Sequence, residues 1–423
     1  MTTAELPALA ETIGKAELWA EVKRLRRERD LAATMPLLER LCADHPTETR
    51  FLVGMAEALI DAGRMDAGRT WLERAQRLDP ADPRPGELLG KIGRLSAPAL
   101  PPSAELQAAR ADLKQTLEAL ADGGEPEAVI STYHSAARDR PDVVADIESW
   151  APLVNAAGQA LYQANGARPG PWAQAAIDEV RERGIAIRSF DELFGDVALL
   201  AELQAVTRAT QDWTVPGKPH FFKAIREDEA QGSHPVIRAA LHPRLLEVVG
   251  GFYGLYSRLA SANIVQTRTD ASPERLRRSS EGWHRDPEDT PMFKTFIYLN
   301  DVLEIGHGPF QYIPASRPGG LHEHLLPRFG RGLHEKSVKL RPDWGQVDGE
   351  VAAEDIVTVL GKAGTVFFCN TSGLHRGGYC TSQDRYMCAY VYQRPGSQFP
   401  TYVKTDIDAG AAPIAVRMAV QQP

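Results

Sequence analysis

The stretch EGWHRDPED, residues 281–289, sets His284 and Asp286 two positions apart, with Arg285 between them and Trp283 just before. In an extended backbone residues i and i+2 point to the same side, so the imidazole and the carboxylate project together while Arg285 faces away. They supply two of the three donors of a two-histidine, one-carboxylate site, which on a ferrous ion leaves positions open for substrates. The third donor has to come from a distant part of the chain. NTSGLHRGG, residues 370–378, offers His375 behind the apolar run GTVFFCN. Its glycine-rich setting predicts a turn that presents the imidazole at the mouth of a barrel rather than in its wall. A histidine beside a carboxylate is also a common surface pairing, and the spacing alone does not choose between the two.

The elements that must position these residues are short strands. IAIRSF (185–190), SANIVQTR (261–268), KTFIYLND (294–301), PFQYIP (309–314), IVTVLG (356–361), GTVFFCN (364–370) and RYMCAYVYQ (385–393) are rich in β-branched and aromatic residues and bounded by Gly, Pro, Asn or Asp. Strands that follow one another without helices between them predict an antiparallel sandwich or barrel.

Taken in order, W-H-R-D, Y-L-N-D-V, G-P-F-x-Y-I-P-x-S, G-T-V-F-F, H-R-G-G and a downstream Arg385 resemble the phytanoyl-CoA dioxygenase-like branch of the Fe(II)/2-oxoglutarate-dependent oxygenases. The resemblance runs from about residue 172 to 395. It implies an α+β fold with a double-stranded β-helix core of jelly-roll type and flanking helices. It also implies iron held by His284, Asp286 and His375, with 2-oxoglutarate and O2 as cosubstrates. The implied reaction is hydroxylation of an unactivated C–H of a small-molecule substrate, with release of succinate and CO2. Arg385 stands where such enzymes place the arginine that grips the far carboxylate of the keto acid. A buried carboxylate calls for a partner that keeps its proton, and a guanidinium gives a bidentate, charge-assisted pair. Arg376 and Arg394 are rivals for that role, while Lys294, Tyr298 and Gln266 are candidates for a second contact to 2-oxoglutarate. Asp286 argues against halogenation, which in related enzymes needs a small residue at that place. The chain departs from the common G-S-H after Y-I-P, since Ala315, Ser316 and Arg317 follow instead. Two other readings use the same residues: a cupin-like enzyme with zinc or manganese and no keto acid, and a non-catalytic adaptor.

Between the two halves of the core lies a long insertion, residues 317–350, expected to be a lid or a surface loop. It carries His322, His324 and His334. Arg275, Arg277 and Arg278, just ahead of the metal edge, are candidates to meet an anionic group.

The front of the chain has a different pattern. PLLERLCADHP at 36–46 aligns with TWLERAQRLDP at 70–80 after a shift of 34, the tetratricopeptide period. Ala56, Gly63, Gly68, Leu72, Ala75 and Pro80 fall at that repeat's packing and terminating positions. Such hairpins contact peptides or partner subunits, so a protein partner or self-association through them is expected, beside plain structural support. A capping helix is expected near 86–95, then the Pro- and Ala-rich break SAPALPPSA, then helices at about 104–121, 126–137 and 141–165. The expected organisation is 1–95 tetratricopeptide-like hairpins, 96–170 linker and further helices, and 171–423 oxygenase domain. All proposed donors fall in the last, so it is expected to bind metal and keto acid by itself.

Composition narrows the partners. A chain of 423 residues with 43% hydrophobic content can bury a large core. Its net charge of −8, from 48 Lys+Arg against 56 Asp+Glu, lacks the basic surplus that drives nucleic-acid binding. No run of 18 uncharged apolar residues occurs, and MTTAELPALAETIGK has no secretory pattern, so neither membrane insertion nor export is expected. Cys42, Cys369, Cys380 and Cys388 form no C-x-x-C pair, which fits a reducing cytoplasm.

Overall fold

The computed structural model describes residues 14–28, 31–61, 64–96, 103–144, 147–209, 221–223, 231–270, 279–286, 289–317, 319–328, 347, 350–397, 402–408 and 410–421. The chain divides into two units, Met1–Pro101 with Pro327–Ala352, and Pro102–Leu326 with Ala353–Pro423.

Among the described residues of the first unit five helices follow one another: Lys15–Glu28, Leu31–Asp44, Thr49–Asp61, Met65–Leu78 and Pro83–Ser96. Their apolar positions recur at helical spacing and meet in one cluster, with Leu18, Val22, Leu38, Phe51, Leu52 and Ala75 among its buried members. Ala56 and Leu72, small and apolar anchors of the repeat pattern, are fully buried. Gly68 permits close helix approach, since a Cβ there would lie 2.7 Å from the Ile60 side chain. Gly63 lies outside the described residues.

The second unit is α+β, with a jelly-roll core. Among the described residues nine strands form it: β1 Ile185–Ser189, β2 Phe221–Lys223, β3 Arg258–Thr267, β4 Phe293–Tyr298, β5 Phe310–Tyr312, β6 Val357–Thr358, β7 Thr365–Asn370, β8 His375–Gly377 and β9 Arg385–Gln393. A six-stranded antiparallel sheet has the order β1-β7-β4-β9-β3-β2, and a three-stranded sheet the order β6-β5-β8.

Alternation gives the larger sheet two faces. On one, Phe293, Ile297, Val366, Phe368, Cys388, Tyr390 and Tyr392 pack with Ile177, Val180, Leu245 and Val249 of helices Pro171–Arg183 and Pro243–Tyr253. On the other, Phe296, Tyr298, Phe367, Cys369 and Met387 meet Phe310 and Tyr312 of the smaller sheet. This inner face holds the site. Helix Pro171–Arg183 ends at Gly184, whose φ of 89° is a left-handed C-cap. Any Cβ at Gly184 would strike Tyr312, so the glycine also lets β1 pass close to the smaller sheet.

Helices Ala104–Asp122, Pro126–Asp139 and Ile147–Ala164 fall in this unit with the sheets. Val129, Tyr133, Trp150, Val154 and Tyr162 share a buried cluster with Tyr256, just ahead of β3. His134 reaches the turn after β9, with Nε2 2.9 Å from the Pro395 carbonyl. The break SAPALPPSA lies mostly outside the described residues. Two strands escape the sequence pattern. β2 is three residues long, too short to show a period, and β8 occupies the glycine-rich segment read as a turn. His375 therefore stands in the wall of the smaller sheet, paired with Tyr312, because its backbone also bridges that of His284.

Candidate metal centre

His284 and His375 face each other across an isolated antiparallel bridge. The amide of His284 donates to the His375 carbonyl at 3.0 Å, and that of His375 to the His284 carbonyl at 2.9 Å. Two residues on, the Asp286 amide donates to the Thr371 carbonyl at 2.8 Å, so the H-x-D segment is held extended by the chain that carries the second histidine. His284, Asp286 and His375 each offer a ligand atom within 4.8 Å of the others, the one such group among the described residues. The imidazole centroids are 4.2 Å apart, and His375 Nε2 is 3.4 Å from Asp286 Oδ2.

Both rings are oriented by their own backbone. His284 Nδ1 is 2.7 Å from the Gly282 carbonyl and His375 Nδ1 is 3.0 Å from the Gly373 carbonyl, contacts that place the ring proton on Nδ1 and leave the Nε2 lone pair for a metal. Burial pushes the His375 pKa below its ordinary value, keeping the imidazole neutral, while the nearby Asp286 charge pulls the other way. For Asp286 burial alone would raise the pKa. The Lys294 ammonium, joined by the two imidazoles when they carry a proton, outweighs it and holds the carboxyl well below the usual carboxylate range. A neutral imidazole and an ionised carboxylate are the protonation states a divalent ion requires. The donor set and its orientation fit such an ion.

Arg385 lies on the same inner face, at the start of β9, and is only 1% exposed. Its guanidinium donates to the Gly308 carbonyl and, at 3.0 Å, to Thr267 Oγ1. Its Nε has no hydrogen-bond partner, and among the described residues no carboxylate pairs with it. A buried cation without an anion is costly, which makes this end of the cavity a fitting place for one. Gly377, on β8 two residues beyond His375 and so on its face, keeps the approach open: a Cβ there would lie 3.2 Å from Arg385 Nη2. Two strand residues span about 6.6 Å. The guanidinium thus lies beside the next position on the face of β8 that carries the histidine.

The other sequence candidates are placed as follows. Lys294, on the inner face of β4, reaches Asp286, with Nζ 2.6 Å from Oδ2. Tyr298 shares that face, but its hydroxyl donates to the Val359 carbonyl at 3.0 Å and accepts from the Phe310 amide at 3.0 Å. Gln266 lies on the opposite face, because its neighbour Thr267 is the residue in register with Arg385. There its Nε2 donates to Asp384 Oδ2 at 2.7 Å and Tyr386 Oη at 2.9 Å. Arg376 turns away from the cavity and lies over the buried Trp283 ring at 4.3 Å, with Nε donating to Gln311 Oε1 at 2.8 Å. Arg394 is engaged by Asp289, with Nη2 2.5 Å from Oδ1. The His322 and His324 rings lie 5.9 Å apart, tilted at 54° to each other. His334, Arg275, Arg277 and Arg278 lie outside the described residues.

Sequence reasoning did not single out Thr267 or Cys369. Cys369 is a fully buried inner-face thiol, its pKa raised by burial and by the Asp286 charge. Parity with Phe367 on β7 was the available signal for it, whereas Thr267 is marked only by its register opposite Arg385.

The tetratricopeptide repeat family matches residues 25–92. No curated protein matches the chain. Among solved structures, the non-heme alpha-ketoglutarate-dependent epimerase SnoN from nogalamycin biosynthesis is similar at 20% identity and a TM-score of 0.37, over 52% of this chain and 83% of that one. HygX from Streptomyces hygroscopicus, with nickel and 2-oxoglutarate bound, is similar at 18% identity and a TM-score of 0.39, over 58% and 94% of the two chains. An oxidoreductase of the 2OG-Fe(II) oxygenase family from Burkholderia pseudomallei is similar at 14% identity and a TM-score of 0.35, over 56% and 95%. At these TM-scores the functional reading rests on the residues themselves. No helix among the described residues is long and apolar enough to cross a membrane.

Proposed function

We propose that the chain is an Fe(II)- and 2-oxoglutarate-dependent oxygenase of the phytanoyl-CoA dioxygenase-like kind, hydroxylating a C–H of a small molecule with release of succinate and CO2. The observation that carries this reading is one inner face bearing both a convergent His284–Asp286–His375 set and a buried Arg385 that no described carboxylate neutralises. Iron, when bound, would supply open positions for the keto acid and O2. The protein's own work is to hold ligands, anchor the cosubstrate and exclude water. Backbone carbonyls of Gly282 and Gly373 fix the imidazoles. Arg385 grips the distal carboxylate, and Gly377 keeps its approach clear. Phe310, stacked on His375 at 5.6 Å, and Phe296 keep the floor dry. For the front helices we propose a role in contacting a protein partner or a second copy, supported by the tetratricopeptide match. The test is succinate formation from 2-oxoglutarate with ferrous iron, ascorbate and O2. Asp286→Ala should abolish it and weaken metal binding while the circular dichroism spectrum is kept. Undiminished turnover in that variant would place the chemistry elsewhere.

A further inference from the structure

Asp286 Oδ2 has two neighbours that compete for it. It lies 3.4 Å from His375 Nε2, the nitrogen left free for a metal, and 2.6 Å from Lys294 Nζ. A divalent ion held by this oxygen at about 2.0–2.2 Å would lie within about 5 Å of the ammonium, the sum of the two distances. The lysine has little room to leave. Its side chain is 17% exposed, and it sits mid-sheet, in register with Cys369 on one side and Val391 on the other, with Phe296 next on its face.

We propose that Lys294 is a tuning residue of the metal centre: its ammonium competes with the ion for Asp286, weakening metal binding, and strengthens capture of the anionic chelator that enters with the ion. This rests on the metal-centre reading above. The physical basis is the sign of the charges. A fixed cation beside a divalent ion repels it and shares its carboxylate, yet attracts any carboxylate that the ion binds. Lys294 thereby couples the two ligands, so that the centre fills well only when metal and keto acid are both present. A lysine that merely orients Asp286 for the ion would act in the opposite direction on the metal, since losing such outer support typically weakens affinity about 10–100-fold.

The experiment uses the full-length protein, stripped with a chelator and titrated anaerobically with Co2+ alone, whose visible absorption reports binding, and then with 2-oxoglutarate. Lys294→Met should bind Co2+ about tenfold more tightly and 2-oxoglutarate about tenfold more weakly, each equal to about 1.4 kcal/mol. Lys294→Arg, which keeps the charge, should shift both less. Melting curves check the fold, with Lys294→Gln as the second uncharged variant. Weaker Co2+ binding in both uncharged variants overturns the proposal and makes Lys294 a support for Asp286. Unchanged constants overturn it too. If the wild type takes up no Co2+, the metal-centre reading itself fails, an outcome that the wild-type titration reveals before any variant is made.

Discussion

Replacing Arg385 by Gln separates a keto-acid enzyme from every other use of the same three metal ligands. The guanidinium is buried, holds Gly308 and Thr267, and has no described carboxylate partner. Among the described residues the substitution therefore breaks no ion pair. It removes two charge-assisted hydrogen bonds, at about 1.5–3 kcal/mol each, and offsets that loss by relieving an uncompensated buried charge, so the melting temperature should move by only a few degrees in either direction. With 2-oxoglutarate bound the balance differs. Removing one partner of a buried ion pair costs about 3–5 kcal/mol, because the other charge stays behind uncompensated. At about 1.4 kcal/mol per tenfold, the dissociation constant for 2-oxoglutarate should rise by two to three and a half orders of magnitude. Co2+ binding without keto acid should be nearly unchanged. The assay is a titration of the metal-loaded protein with 2-oxoglutarate, repeated with a keto acid lacking the distal carboxylate, which should lose little. Arg376→Gln and Arg394→Gln are the controls. The first loosens Trp283 and the second frees Asp289, so both should lower the melting temperature more than they weaken keto-acid binding. If Arg385→Gln retains wild-type affinity, the anchor is misassigned, and if none of the three matters, 2-oxoglutarate is not the cosubstrate.

Gly377→Ala puts a methyl group 3.2 Å from Arg385 Nη2 and should weaken 2-oxoglutarate by about tenfold with Co2+ binding intact; equal loss of both would mean general damage to β8. His134 has its pKa pushed down to about 3, by burial first and then by the Arg258 charge, against the hydrogen bond to Pro395. Only the unfolded chain takes the proton below about pH 6.5, so stability falls with pH there by about 1.4 kcal/mol per unit. His134→Gln should remove about 2 kcal/mol of the loss between pH 6.5 and 5 in urea melts, and an unaltered slope would refute the assignment. Because helices 104–164 share a cluster with Tyr256, residues 102–423 should fold and bind Co2+ as the full chain does, whereas 171–423 should not. Gel filtration and a Co2+ titration of the two fragments decide between this boundary and one near 170.

Local periodicity determined a good deal. Period two brought His284 and Asp286 to one side and put Lys294, Phe296 and Tyr298 on one face of β4, and a shift of 34 marked the front helices. Each is a property of neighbours along the chain, set by backbone geometry before any long-range contact forms. Parity does not say which strand lies opposite, or in what register, and those facts came only with the tertiary structure. The pairing of Thr267 with Arg385 sent Gln266 to the far face, and the bridge between His284 and His375 turned an expected glycine-rich turn into a strand. Backbone groups from distant segments, at Val359 and Phe310, took up the Tyr298 hydroxyl. Asp286 came within 2.6 Å of a lysine eight residues on, because a loop and a strand that share no periodicity meet on the inner face. The helices at 104–164 show the same division: their existence followed from pattern, and their place in the second unit from burial of Trp150 and Tyr162 beside Tyr256. Burial on this scale is a sum over many distant residues, and no window of sequence contains it.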